Sequence, residues 1–111
     1  MLDKFLKYVK YDTQSDDKNE ACPSTAGQMK LAKVIVEDLK KLGIENAHVD
    51  ENGYVYASIK GTVKDVPTIG FISHMDTALE ITGKNVNPQI IDSYKGCLLY
   101  TSDAADDCCR V

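Results

Sequence analysis

Apolar positions in the first half of the chain recur with the period of an α-helix. A short amphipathic helix over residues 2–10 is predicted by apolar side chains three or four positions apart, namely Leu2, Phe5, Leu6 and Val9. A longer helix over residues 25–42 is predicted by a second stripe, formed by Leu31, Ala32, Ile35, Leu39 and Leu42. Thr25 and Gln28 have the spacing of a capping box, and Gly43 is placed to end the helix.

Beyond Gly43 the apolar pattern changes from helical spacing to alternation. The segment ENAHVD predicts a short strand over residues 45–50, and YVYASIKG predicts another over residues 54–60. The Asn-Gly pair between them is typical of a hairpin turn. His48 is expected to be solvated at the strand edge, and Tyr54 and Tyr56 are expected to pack rather than to act chemically.

A nearly unbroken apolar run, TIGFIS, covers residues 68–73 and predicts a central strand covered on both faces. Two helices, a hairpin and this strand predict an α/β fold with helices packed on a mixed β-sheet. A central strand needs a neighbour on each side, which further parts of the domain would have to supply. We therefore expect the isolated chain to be poorly soluble.

The apolar run stops at His74, and Asp76 follows two residues later. Ligands of open α/β sheets gather beyond the carboxyl ends of the strands, which makes His74 a candidate metal ligand. A neutral imidazole binds zinc well, and its other nitrogen usually donates to a carboxylate, a role that Asp76 could take. The same two residues could equally form an ordinary hydrogen-bonded pair, and their spacing alone leaves both interpretations open.

Composition narrows the class of protein. The chain has 111 residues, so it is one domain or part of one, and its net charge of −4 disfavours nucleic acid and anionic membranes as partners. No apolar run approaches the roughly 20 residues that span a bilayer. The N-terminus has charges where a signal peptide would have an apolar core, which predicts a cytoplasmic protein.

The cysteines do not have the spacing of a zinc site. Cys22 stands alone, whereas Cys97, Cys108 and Cys109 lie in the last fifteen residues without a C-x-x-C pattern. The stretch CLLYTSDAADD, residues 97–107, reads as a sequencing-library adaptor translated in frame. We therefore interpret residues 1–96 as the native N-terminal part of a domain and residues 97–111 as a foreign tail.

Several stretches together resemble the peptidase T family of di-zinc exopeptidases, which are tripeptide aminopeptidases. The resemblance covers residues 1–96 and rests on five stretches in the expected order: YDTQS, PSTAGQMKLA, KLGIENAHVDENGYVYASIKG, IGFISHMDTA and GKNVNPQII. The motif SHMDTA is common to several related peptidases. GKNVNPQII, residues 83–91, narrows the resemblance to peptidase T.

The resemblance implies a specific role for each member of the histidine–aspartate pair. His74 matches the family's first zinc-ligand histidine, and Asp76 matches the catalytic-site aspartate that orients this imidazole. The family's other ligands and its general-base glutamate lie downstream of the stretch that matches. The resemblance thus implies two zinc ions and tripeptide substrates for the full-length parent, with a homodimer left open, and an inactive fragment here.

Two other functions stay open at this point. A different di-zinc exopeptidase or an amide-cleaving deacylase of the same superfamily would share His74 and Asp76. A binding module without catalysis could use the same pair only as a hydrogen-bonded strand end. Substrate-binding residues of the full-length protein, or zinc titration with and without His74, would separate these readings.

Overall fold

A computed structural model describes residues 1–93 of the chain. Its elements are α1 (Leu2–Tyr8), α2 (Ala26–Lys41), β1 (His48–Val49) and β2 (Val55–Tyr56). The adaptor-like segment and the three C-terminal cysteines lie outside the described residues. Residues 1–93 thus form two helices and a two-stranded sheet, an arrangement that agrees with the coarse α/β class.

The predicted apolar stripe of helix α2 is fully buried at only two positions, and Ile35 and Leu39 are half-buried. Leu31 and Ala32 are buried at 6% and 0% exposure and, with Ala47, form the apolar core among residues 1–93. Leu42, by contrast, is 63% exposed. The helix ends as predicted, because Gly43 has a φ of +86° and its N–H donates to the Lys40 carbonyl at 2.9 Å.

The predicted capping box at the start of α2 is wrong. The Thr25 hydroxyl makes no capping hydrogen bond and is buried without a partner among the described residues. The side chain of Gln28 instead donates to the Ser24 hydroxyl at 3.2 Å and to the Thr13 carbonyl at 3.5 Å. The Gln28 side chain therefore contacts Thr13 and does not form the local cap.

The hairpin forms where the Asn-Gly signal predicts it, but with shorter strands. β1 and β2 are antiparallel, with His48 opposite Tyr56 and Val49 opposite Val55. Gly53 has a φ of +84°, and the Asp50 carboxylate accepts the N–H of Tyr54 at 2.8 Å, which closes the turn. The predicted extension to residue 60 is wrong, because the pairing ends at Tyr56 and leaves Ile59 83% exposed.

Helix α1 is attached to α2 through polar contacts. Lys7 Nζ lies 2.8 Å from both carboxylate oxygens of Asp38, and the Tyr8 hydroxyl donates to Asp38 Oδ2 at 3.0 Å. Lys7 holds the pKa of the Asp38 carboxyl below its usual value, and the Tyr8 hydrogen bond adds to the effect. Burial, with the Asp38 contact, raises the pKa of Tyr8.

The prediction of a covered central strand over residues 68–73 is wrong for this structure. No strand is present between residues 57 and 93, and the side chains of Ile69, Phe71 and Ile72 are 77%, 94% and 101% exposed. An isolated strand cannot satisfy its backbone groups or cover its faces, and no neighbouring strand lies alongside it within residues 1–93. Neither described helix has the length and apolarity to cross a bilayer.

Candidate functional site

The structure brings His74 and Asp76 into contact. His74 Nδ1 lies 3.1 Å from Asp76 Oδ1 and 3.0 Å from the carbonyl oxygen of the same residue. A carbonyl oxygen can only accept, so Nδ1 carries a proton, and in the neutral imidazole Nε2 then carries the lone pair. The side chain of His74 is 84% exposed, which leaves Nε2 accessible as a ligand atom.

The second oxygen of the Asp76 carboxylate is held from the other end of the chain. Ser15 Oγ donates to Asp76 Oδ2 at 2.6 Å, across 61 positions of sequence. This hydrogen bond lowers the pKa of Asp76, with a further contribution from His74, although partial burial opposes both. The carboxylate therefore stays ionised and accepts from one group on each oxygen.

Backbone pairing places Ser15 beside Asp76. Gln14 and Thr77 form an isolated parallel bridge, in which Ser15 N–H donates to the Thr77 carbonyl at 3.1 Å. Thr77 N–H in turn donates to the Thr13 carbonyl at 3.2 Å. The Gln14 side chain adds a 2.7 Å hydrogen bond to the carbonyl of Leu79. We call residues 12–15 the polar strap.

The polar strap is anchored to the start of α2. Thr13 is buried, at 2% exposure, and its carbonyl accepts from Gln28. A Cβ on Gly27 would collide with the backbone oxygen of Asp12, so only glycine permits this approach of helix and strap. On the other side, a Cβ on Gly83 would lie 2.8 Å from Asp12 Oδ1. The strap is thus packed between α2 and the segment that carries the candidate site.

The contact between His74 and Asp76 agrees with the sequence prediction, whereas their setting does not. The segment before His74 is exposed and is not a strand, so the argument from a buried strand end fails. Ser15 was missed, because it lies in a polar loop without periodicity and no spacing rule connects it to Asp76. The TQS triplet inside the YDTQS resemblance was the available signal.

The other sequence candidates lie away from this pair. His48 is exposed as predicted, its Nδ1 is 2.9 Å from the Asn46 carbonyl, and its ring stacks on Tyr56 at 5.4 Å. Tyr54 and Tyr56 are 58% and 50% exposed, so the prediction that they pack holds only for the contact of Tyr56 with His48 and with Tyr54. Cys22 is free and exposed.

The donor set fits one zinc ligand rather than a complete zinc site. A neutral imidazole whose Nδ1–H donates to a carboxylate is the usual form of a zinc-binding histidine, and His74 has this form. Zinc sites need about three or four protein ligands. No cluster of three or more His, Cys, Asp or Glu side chains able to hold a metal occurs among residues 1–93.

Known proteins match this chain in sequence. No family model matches the chain. Curated sequences match it over nearly all of its N-terminal part. They are peptidase T sequences. That of Bacillus subtilis is 56% identical over 97 residues, which is 86% of this chain and 24% of the relative.

Other peptidase T relatives agree with this match. That of Geobacillus thermodenitrificans is 57% identical over 97 residues, again 86% of the chain and 24% of the relative. That of Clostridium perfringens is 52% identical over 95 residues, or 85% of the chain and 23% of the relative. The chain therefore spans about a quarter of the length of the curated relatives it matches, and it resembles the N-terminal part of peptidase T.

Proposed function

We propose that residues 1–96 are the N-terminal part of the catalytic domain of a peptidase T-like metallo-aminopeptidase. The observation that carries the proposal is the 56% identity to Bacillus subtilis peptidase T over 97 residues. Residues 97–111 are not native to that domain. The matched length supports a boundary near residue 96, because it covers 86% of the chain rather than all of it.

His74 and Asp76 take distinct roles in this proposal. His74 Nε2 would hold one of two zinc ions, and Asp76 would keep the imidazole in the tautomer that leaves Nε2 free. When bound, zinc lowers the pKa of a water molecule and polarises the scissile carbonyl. The His74–Asp76 contact fixes where this ligand atom lies, which limits the rotation that would displace the metal.

The full-length parent is proposed to release the N-terminal residue of tripeptides in the cytoplasm. The parent needs ligands and a general base beyond the two residues identified here, so this 111-residue chain is expected to be inactive. Purified chain with added zinc should therefore show no tripeptide hydrolysis. Turnover that His74→Ala abolishes would contradict this.

A chimera tests the proposal more directly. Residues 1–96 of this chain replace the aligned stretch of Bacillus subtilis peptidase T, and the product is assayed with a tripeptide and zinc. We expect hydrolysis of the peptide, because the two sequences are 56% identical over this stretch. His74→Ala should abolish turnover, whereas His48→Ala, at the only other histidine of the chain, should leave it unchanged.

The substrates separate this function from its alternatives. A chimera that folds but hydrolyses no peptide would overturn the peptidase proposal and favour a binding module. Faster cleavage of dipeptides or N-acylated amino acids than of tripeptides would favour another exopeptidase or a deacylase. Equal activity of the chimera and of its His74→Ala variant would show that His74 is not a metal ligand.

A further inference from the structure

One contact of the candidate site comes from a residue far away in sequence. Ser15 Oγ lies 2.6 Å from Asp76 Oδ2, the oxygen that does not face the imidazole. The Asp76 side chain is 46% exposed, so water can compete for this carboxylate. Rotation about the terminal bond of an aspartate is broad and roughly two-fold, so a single hydrogen bond would not fix the plane of the carboxylate.

We propose that Ser15 is a positioning residue, whose hydroxyl fixes the Asp76 carboxylate so that Oδ1 faces His74 Nδ1. This inference rests on the proposed function for its catalytic meaning. Within residues 1–93 Ser15 makes no hydrogen bond to the imidazole, and it acts through Asp76. With both carboxylate oxygens engaged, the Nδ1–H tautomer of His74 is stabilised and Nε2 is kept as the ligand atom.

The backbone of the strap holds Ser15 in place independently of its hydroxyl. Its N–H donates to the Thr77 carbonyl at 3.1 Å, and Thr13 accepts from Thr77 N–H at 3.2 Å. Gln28 and Gly27 anchor the strap to α2. Removal of the hydroxyl therefore leaves these contacts intact, so its effect on His74 can be measured without dismantling the strap.

The test is the tautomer of His74 in the metal-free 111-residue chain, kept in solution by a histidine-free carrier domain. Histidine labelled with ¹⁵N gives two sets of ring signals, and those of His48 serve as an internal reference. The spectra are recorded at pH about 8.5, where an ordinary imidazole is neutral. Ser15→Val and Ser15→Thr are compared, since the two side chains have similar shape and differ by the hydroxyl.

We expect Ser15→Val to lower the ratio of Nδ1–H to Nε2–H tautomer of His74 about fivefold. This is less than the roughly tenfold or larger effect of losing a direct hydrogen bond to a charged group, because Ser15 acts on His74 through Asp76. Ser15→Thr should keep the original ratio, and His48 should be unchanged in both. Ser58→Ala, which removes a hydroxyl that accepts from Asn46 at 2.7 Å in another part of the chain, is the matched control. It is judged on His74 alone, because the Asn46 carbonyl contacts the reference residue His48.

Two results would overturn the positioning role. One is the same His74 tautomer ratio in Ser15→Val and Ser15→Thr, and the other is an equal change in Ser58→Ala. If Ser15→Val also shifts His48, Ser15→Ala is measured in its place, and an unchanged His74 ratio there also refutes the role. Because this test uses neither zinc nor substrate, it can fail while the chimera is active, or succeed while the chimera is inactive.

Discussion

Residues 26–56 and residues 57–93 both contain many apolar side chains but have very different structures. The first region contains α2, the hairpin and the buried side chains of Leu31, Ala32 and Ala47. The second contains no helix or strand among its described residues, and Phe71 and Ile72 are almost fully exposed. The difference lies in the partners available, since α2 contacts both strands of the hairpin and the second region has no such neighbour.

The candidate site combines the two regions. His74 and Asp76 lie in the open region, but the polar strap that holds them is packed on α2. The positions of His74 and Asp76 therefore depend on packing against the first region. This explains how a segment without strand pairing of its own still presents an oriented imidazole.

The largest expected effect is the loss of a buried side chain from α2. Leu31→Ala should lower the free energy of unfolding by about 3 kcal/mol, because it removes a core side chain and leaves a cavity. Leu42→Ala, one residue beyond the end of the same helix and 63% exposed, should change it by less than about 0.5 kcal/mol. Urea unfolding followed by circular dichroism measures both. Equal losses would show that the core does not lie where the structure places it.

A smaller loss is expected where the strap meets α2. Gly27→Ala would ordinarily stabilise a helix by about 1 kcal/mol. Here the new Cβ would collide with the Asp12 carbonyl, so we expect destabilisation by about 1–2 kcal/mol and a changed His74 tautomer.

Gly70→Ala is the control for this substitution, because no atom lies within 4 Å of the added Cβ. It should alter neither the unfolding free energy nor the His74 signals beyond experimental error. If Gly27→Ala proves stabilising, the strap does not rest on the helix, and the link between the two regions is lost.

Acid should weaken the contact between the helices. The pKa of Asp38 is lower in the folded chain than its ordinary value of 3.8. The ionised Asp38 therefore stabilises the fold fully above pH 3.8, and this contribution is lost as the pH falls through the lower pKa of the folded chain. Thermal melting from pH 6 downwards should therefore show a falling Tm below pH about 4. Asp38→Asn should reduce this pH dependence.

Asp3→Asn, at an exposed aspartate of α1, is the matched control and should leave the acid-induced fall in Tm unchanged. Asp76 also has a lowered pKa and contributes in the same pH window, so some acid sensitivity should persist in Asp38→Asn. An identical pH profile in Asp38→Asn and the unchanged chain would contradict the role of the Lys7–Asp38 pair.

Sequence signals predicted the parts of the fold that depend on near neighbours. Gly43 ends α2 and Asn52-Gly53 turns the hairpin because backbone conformation there is set by a few adjacent residues. The His74–Asp76 contact was predictable for the same reason, since the two residues are only two positions apart.

What the sequence could not predict depends on distant partners. The 68–73 segment has the composition of a central strand, but composition does not supply the neighbouring strands that such a strand needs. Thr25 and Gln28 match a capping box, yet the Gln28 side chain donates to the distant Thr13 carbonyl and to the nearby Ser24 hydroxyl instead. Ser15 reaches Asp76 only because the strap pairs with Thr77, and no spacing rule encodes that pairing.

The smallest effect on stability is expected in the open region. Phe71→Lys and Ile72→Lys should each change the unfolding free energy by less than about 0.5 kcal/mol, because these side chains are 94% and 101% exposed. They should also reduce aggregation, measured by light scattering against concentration, since they break up an exposed apolar segment.

Leu31→Lys is the contrasting substitution and should unfold the chain, because its side chain is buried at 6% exposure. If Phe71→Lys or Ile72→Lys also lowered stability, the 68–73 segment would be covered in solution. A loss that grows with protein concentration would identify the cover as a second copy of the chain. A loss that does not depend on concentration would show that the segment is covered within one molecule. The covered strand that the sequence predicts would then be present, and the contrast between the two regions would be wrong.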